Sequence, residues 1–157
     1  MPVPEPSLHH IGYVVASIAD EIDRWRLALS AIGVTETYED EIQQARVAFL
    51  DLPPAGLTKV ELVEPLGQDS RVASFLEKGG GLHHLCFEVD DVERQISQMK
   101  MQKAMLLRRP QPAVAFGGRR IAWMLTREKL LIEYLERDHV KNEAAPVSRN
   151  AASSSES

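Results

Sequence analysis

Cysteine is almost absent: Cys86 is the single one in 157 residues. That excludes an intramolecular disulfide and a thiolate zinc cluster, and it fits a reducing compartment. A metal site in this chain has to be built from histidine and carboxylate. Positive charge is in deficit, with 18 Lys and Arg against 23 Asp and Glu and a formal net charge of -5. The basic stripe that a nucleic-acid partner calls for is therefore missing, and an anionic ligand would have to be met by a local basic cluster. No run approaches the ~18 apolar residues of a membrane span, and MPVPEPSLHH lacks the basic-then-apolar pattern of a signal peptide. These absences predict a cytoplasmic protein with neither a nucleic-acid nor a membrane partner. With 44% hydrophobic and 26% charged residues, the length suits one globular domain and leaves no room for two.

What is present is a repeat. Leu8-His9-His10 returns as Leu82-His83-His84, 74 positions later. The likeness continues from LHHIGYVVASIADEIDRW into LHHLCFEVDDVERQISQM. Each copy starts as an apolar strand and meets a helix N-cap, Ser17 or Asp91. Ile18, Ile22, Trp25, Leu29 and Ile32 then form a stripe at helical spacing, and Val92, Ile96 and Met99 match its first three members. Three strand-like segments follow in each half: Val34 to Tyr38, Arg46 to Leu50 and Lys59 to Val63, then Ala104 to Leu107, Arg120 to Leu125 and Leu130 to Leu135. The last ones also agree, with Glu61 and Glu133 set 72 positions apart. The expectation is an α+β fold of two βαβββ modules, about 7–67 and 81–137, within one domain over 1–137. A helix from Ser70 to Lys78 and a triple-glycine linker join them. The stretch 138–157, rich in Ser, Ala and Asn without periodicity, is expected to be disordered.

Strand alternation separates the paired histidines. His9 and His83 share faces with Ile11, Tyr13 and Val15 and with Leu85, Phe87 and Val89, so they are expected to pack under the helices. His10 and His84 have small neighbours, Gly12 and Cys86, and open space in front. Cys86 itself reads as a packing residue. Glu61 and Glu133 stand opposite in sense to their apolar strand neighbours. A pseudo-twofold would bring two His and two Glu to one concave surface. Two neutral imidazoles and two carboxylates make a net -2 set suited to a divalent first-row metal, with Co, Ni, Zn, Mn and Fe all compatible. A half-buried strand keeps a carboxylate among Val, Leu and Ile only if something pairs it.

This pattern resembles the vicinal oxygen chelate superfamily, which includes glyoxalase I, methylmalonyl-CoA epimerase, extradiol dioxygenases and bleomycin-resistance proteins. The resemblance covers residues 7–137. Its wording is most similar to methylmalonyl-CoA epimerase, through VAFLDL (47–52), VELVEPLGQDSRVASFLEKGGGLHHLCFEVDDVE (60–93), PAVAFGGRRIAWM (112–124) and LLIEYLE (130–136). It implies a curved mixed sheet around a metal held by His10, Glu61, His84 and Glu133. It also implies a small-molecule substrate such as a CoA thioester, and modules that pair within or between chains, which leaves a homodimer open. Two departures stand out. Some of these epimerases carry a catalytic Glu at the position of Val47, and valine cannot move a proton. A second base would then be Glu133 loosening from the metal, or a water on Gln43 or Gln44. The usual His-Pro-Lys run is replaced by Thr126-Arg127-Glu128-Lys129. Glu at 61, where epimerases often have Gln, gives the ligand set of bacterial glyoxalase I.

The chemistry implied is cation-stabilised enolate formation from a bidentate oxygen substrate. Reprotonation on the opposite face is epimerisation, and on the neighbouring carbon it is a glyoxalase-type isomerisation. Glu133, and after it Glu61, are the candidate catalytic bases. A glyoxalase I-like lyase is the alternative. An extradiol dioxygenase would find Glu61 surplus, and a non-catalytic binding or resistance protein would not need the ligands. Arg108, Arg109, Arg119 and Arg120 flank the Gly117-Gly118 loop, either to meet anionic groups of a ligand or as solvated rim charges.

Overall fold

The computed structural model describes residues 2 and 4–138. From residue 139 on, the tail expected to be disordered lies outside the described residues. Strand β1 (Ser7–Val14) leads into helix α1 (Ile18–Ala28), followed by β2 (Gly33–Val34), β3 (Tyr38–Asp40), β4 (Ala45–Asp51) and β5 (Lys59–Pro65). After α2 (Arg71–Glu77), the second half supplies β6 (Gly81–Val89), α3 (Val92–Met101), β7 (Met105–Pro112), β8 (Arg120–Leu125) and β9 (Leu131–Glu136). All nine strands belong to one mixed sheet in the order β2-β4-β5-β1-β6-β9-β8-β7, with β3 also on β4. Strands β1 and β5 run parallel, as do β6 and β9, while β1 and β6 meet antiparallel at the centre. The two halves are thus related about the β1–β6 seam, which puts both Leu-His-His copies side by side.

Local chemistry explains the helix boundaries. Ser17 accepts a hydrogen bond from the Asp20 N–H, Asp91 from that of Arg94 and Ser70 from that of Val72, each satisfying a donor the helix leaves free. The stripe expected to reach Ile32 stops early. Leu29 is the C-cap, Ser30 takes a left-handed conformation at φ 52°, and Ile32 lies beyond the helix, 55% exposed, its N–H bonded to the Asp51 carbonyl. The segment expected as one strand from Val34 to Tyr38 is two. Thr35 N–H still donates to the Phe49 carbonyl, but Phe49 N–H donates to the Thr35 hydroxyl, a side-chain bond that takes the place of the return ladder bond where the chain leaves the edge of β4 before rejoining it.

Each sheet face is covered differently. Helix α1 packs Ile18 against Val15, Ala48, Leu50, Val60 and Leu62, with Tyr13 and Trp25 alongside. Helix α3 does the same with Val92 and Ile96 against Val89, Ala122, Met124, Ile132 and Tyr134, and Met99 joins them. The opposite, concave face carries two further clusters, Val14, Val47, Phe49, Val63 and Val72 on one side and Cys86, Ala113, Ile121 and Leu135 on the other. Phe116 touches both. Burial of both faces is why β4, β5 and β9 are rich in apolar residues, and in β5 and β9 Glu61 and Glu133 are the buried carboxylates among them. No helix among the described residues is long and apolar enough to cross a membrane.

Candidate active site on the concave face

His10 and Gly12 on β1 face His84 and Cys86 on β6: His10 pairs with Cys86 and Gly12 with His84. A small residue therefore sits opposite each imidazole, and both rings are almost wholly buried. The register slips by one residue between Leu8 and His10 on β1 and again between Gly12 and Tyr13, where His83 is the extra residue on β6. His9 and His83 are thus unpaired bulge residues. Simple alternation, which sends them under the helices, fails here because a bulge re-aims the side chain of the extra residue. His9 packs edge-on to Phe49 and Phe116, while His83 packs on Phe75 and lies near Trp123, all on the concave side.

The two bulges have a chemical consequence. Nδ1 of His9 lies 2.8 Å from Nδ1 of His10, and Nδ1 of His83 lies 2.9 Å from Nδ1 of His84. Burial, reinforced by the adjacent His10 and His84, lowers His9 and His83 to about 4. Neutral near pH 7, each can accept the Nδ1 proton of its neighbour, and the neighbour's Nε2 is then a lone-pair donor. Doubled histidines were visible in the sequence, but the supporting role of the first member of each pair was not.

The four residues singled out from the sequence are brought together. His10 Nε2 lies 3.1 Å from His84 Nε2, 3.2 Å from Glu61 Oε2 and 3.8 Å from Glu133 Oε1, and His84 Nε2 is 3.1 Å from Glu61 Oε2. Both carboxylates are buried. Burial opposes ionisation of Glu61, yet His10 and His84 together hold it well below the usual carboxylate range. Glu133 goes the other way, pushed up to about 7 by burial and by the Glu61 charge. Its Oε1 is buried with no hydrogen-bond partner.

These observations fit a divalent cation. Donor atoms that would share one ion have to lie close together, as these do at 3.1 to 3.2 Å. Two Nε2 atoms facing each other beside two carboxylates need a shared positive centre to satisfy all their lone pairs, and an orphaned buried carboxylate oxygen is otherwise costly. His10, His84 and Glu133 also offer donor atoms within 4.8 Å of one another. His9, His10 and Cys86 form a second such group, although the thiol is directed to a packing role. Burial first, then the Glu133 charge, pushes the Cys86 thiol well above its ordinary range, so it stays a protonated packing group.

A cavity of about 140 Å³ opens in front of this cluster. Its walls are mostly apolar, with Val47, Val63, Leu107, Ile121 and Trp123 among them. Phe116 lies 5.9 Å from the His10 ring and nearly parallel to it. The turn Val114–Phe116 that carries it ends at Gly117 and Gly118, which take φ of 62° and 86°, and only glycine does so without strain. Asp40 ties that turn to the first half: its carboxylate accepts from Gln43 N–H at 3.0 Å and from Val114 N–H at 3.2 Å. Replacing Asp40 by alanine strands two backbone donors, and a loss of about 1–3 kcal/mol of stability is expected in urea denaturation, with Asn recovering part of it. An unchanged unfolding midpoint in Asp40→Ala would refute this.

Of the four arginines singled out from the sequence, Arg108 lines the cavity. Arg119 pairs with Glu88, Arg120 is clamped between Glu93 and Glu136, and Arg109 is exposed. Arg71, in the first turn of α2, lines the cavity and was not foreseen. Gln43 lines it as well, whereas Gln44 is exposed and hydrogen-bonds back to the Glu41 carbonyl.

Comparison with known proteins gives this arrangement a lineage. Residues 9–123 match the family model of the Glyoxalase/Bleomycin resistance protein/Dioxygenase superfamily. Over 120 residues the chain is 32% identical to an ethylmalonyl-CoA/methylmalonyl-CoA epimerase of Cereibacter sphaeroides, covering 74% of this chain and 86% of that protein. It is 38% identical over 133 residues to an uncharacterized protein of Bacillus subtilis, covering 82% and 91%. Among solved structures, a variant of Streptomyces coelicolor methylmalonyl-CoA epimerase in complex with 2-nitronate-propionyl-CoA matches with a TM-score of 0.71 at 25% identity, covering 84% and 98%. The matched span begins on the first histidine strand and runs through both halves of the sheet, so the chain belongs to the Glyoxalase/Bleomycin resistance protein/Dioxygenase superfamily and has its vicinal oxygen chelate fold.

Proposed function

We propose that the chain is a metal-dependent epimerase acting through an enolate on an acyl-CoA or a related small carbonyl substrate. The observation that carries this reading is the convergence of His10, Glu61, His84 and Glu133 at the floor of a mostly apolar cavity. Its support from relatives is the likeness to epimerases that act on CoA thioesters. The four residues would hold a divalent cation, which supplies Lewis-acid stabilisation of enolate charge.

The protein's own residues divide the remaining work. Glu61 Oε2 lies 3.2 Å from His10 Nε2 and 3.1 Å from His84 Nε2, where it would share the cation with both imidazoles. Glu133, whose carboxyl is pushed up to about 7, is the ligand that would loosen from the cation and take the α-proton at its unpartnered Oε1. Val47 lines the cavity and offers no proton, so a water in the cavity would have to return one on the opposite face. Phe116 and Trp123 line the cavity and would shield the carbanionic carbon from bulk water.

The test is incubation with methylmalonyl-CoA in deuterated water. Metal-dependent α-deuterium incorporation is expected, together with its loss in Glu133→Gln. Its complete absence with every first-row divalent ion would sink the reading. A lyase of the glyoxalase I type is favoured by one observation, the carboxylate at position 61, and conversion of the methylglyoxal–glutathione hemithioacetal would select it.

A further inference from the structure

Among the described residues, two buried side-chain polar atoms have no hydrogen-bond partner, and both belong to residues lining the cavity over the histidine cluster. One is an acceptor, Glu133 Oε1. The other is a donor, Nε2 of Gln43. The first is explained by a cation or a substrate proton. The second is not used by anything described so far.

The orientation of the Gln43 amide follows from its partners. Its Oε1 accepts from Arg108 Nη1 at 3.2 Å and from Trp123 Nε1 at 3.2 Å. Arginine and the indole ring can only donate, so the carbonyl oxygen has to face them and the NH2 group has to face away. Gln43 is fixed at its backbone as well, where its N–H donates to buried Asp40. Arg108 is anchored in turn, with Nη1 also donating 2.8 Å to the Ile42 carbonyl. A residue from the first half of the chain is thereby clamped by β7 and β8 of the second. A guanidinium at the carbonyl end polarises the amide and makes its N–H a stronger donor. Such a group, pre-oriented and left without an acceptor, is suited to reading an oxygen on a ligand.

We propose that Gln43 is a specificity-determining residue whose Nε2 donates to a carbonyl or carboxylate oxygen of the bound substrate. The inference rests on the acyl-CoA reading above. Together, the two unpartnered atoms define what the cavity accepts: a molecule that gives a proton at Glu133 and presents an oxygen lone pair at Gln43. The position left without a base by Val47 is not filled by this amide, which positions the substrate and does not carry its proton.

Two variants separate the donor from its surroundings. Gln43→Glu keeps an oxygen for Arg108 and Trp123 but removes the N–H and adds charge. Gln43→Met removes the N–H without charge but gives up both contacts. Binding of malonyl-CoA and butyryl-CoA to the metal-loaded protein is measured by calorimetry, with metal affinity measured in parallel. Both variants are expected to weaken malonyl-CoA by about tenfold or more while binding the metal within about twofold of wild type. Weakening of both esters assigns the thioester carbonyl as the acceptor, and weakening of malonyl-CoA alone assigns the carboxylate. Wild-type binding by either variant overturns the proposal, because weakening in Gln43→Glu alone reports charge repulsion and weakening in Gln43→Met alone reports the lost clamp. If wild-type protein binds neither ester, the epimerase reading falls and this inference falls with it.

Discussion

Replacing His10 with alanine is expected to remove bound metal, taking the content of purified protein from about one ion per chain to under about a tenth. A structural zinc site contributes about 10–16 kcal/mol, so each of four ligands carries about 3 kcal/mol, or about two orders of magnitude in affinity. His10 stands above that average. It is fully buried, and its Nε2 is within 3.8 Å of the other three donor atoms. Its loss also takes away one of the two imidazoles that hold the Glu61 charge. Thermal unfolding supplies the second readout. An ion at about a thousand times its dissociation constant stabilises the folded state by about 4 kcal/mol, so added Co, Ni, Zn or Mn should raise the wild-type midpoint and a chelator should lower it. His10→Ala and His84→Ala should show neither shift. Wild-type metal content in both variants would remove the site from this protein.

Gly12→Ala should do nearly as much damage with a single methyl group. A Cβ at Gly12 would lie 2.0 Å from Cε1, 2.3 Å from Nδ1 and 2.6 Å from Nε2 of His84. The ring has little room to yield, because Trp123 packs edge-on at 4.7 Å, His83 holds its Nδ1 and His10 faces its Nε2. Overpacking of this kind costs about 1–3 kcal/mol. Displacing the imidazole should weaken metal binding by about tenfold or more, as disturbing the support of a metal ligand does. Gly12 sits within β1 and does not take a positive φ, so the backbone itself tolerates alanine and the whole effect comes from contact. Metal titration and urea denaturation of the variant test the two parts separately. A variant with normal stability and normal metal affinity would show that the ring moves freely.

The legibility of the site had a physical basis. The repeat reported two copies of one module, and a carboxylate within Val60-Glu61-Leu62 or Ile132-Glu133-Tyr134 reported a buried partner, since an unpaired charge there would be too costly. Alternation placed His10 and His84 on one face correctly. It failed at His9 and His83, because the extra residue of a bulge belongs to the pairing of two strands and leaves no mark in either one alone. The break between β2 and β3 was hidden for a similar reason: the Thr35 hydroxyl is a strand partner only once Phe49 lies beside it.

By itself, the sequence determined the α+β modules, their helix caps, the family resemblance and the identities of the four converging side chains. Those follow from periodicity, local hydrogen bonding and the penalty on buried charge, all of which act over a few residues. Only the tertiary structure decided that the first histidine of each pair turns to the concave side, within 2.9 Å of the second, and that Arg108 lines the cavity while Arg119 and Arg120 are engaged in ion pairs. It also decided that Gln43, 65 and 80 positions from its two clamping partners, holds an unpaired donor there. Those properties depend on atoms from both halves meeting across the β1–β6 seam, and no local pattern encodes such distances.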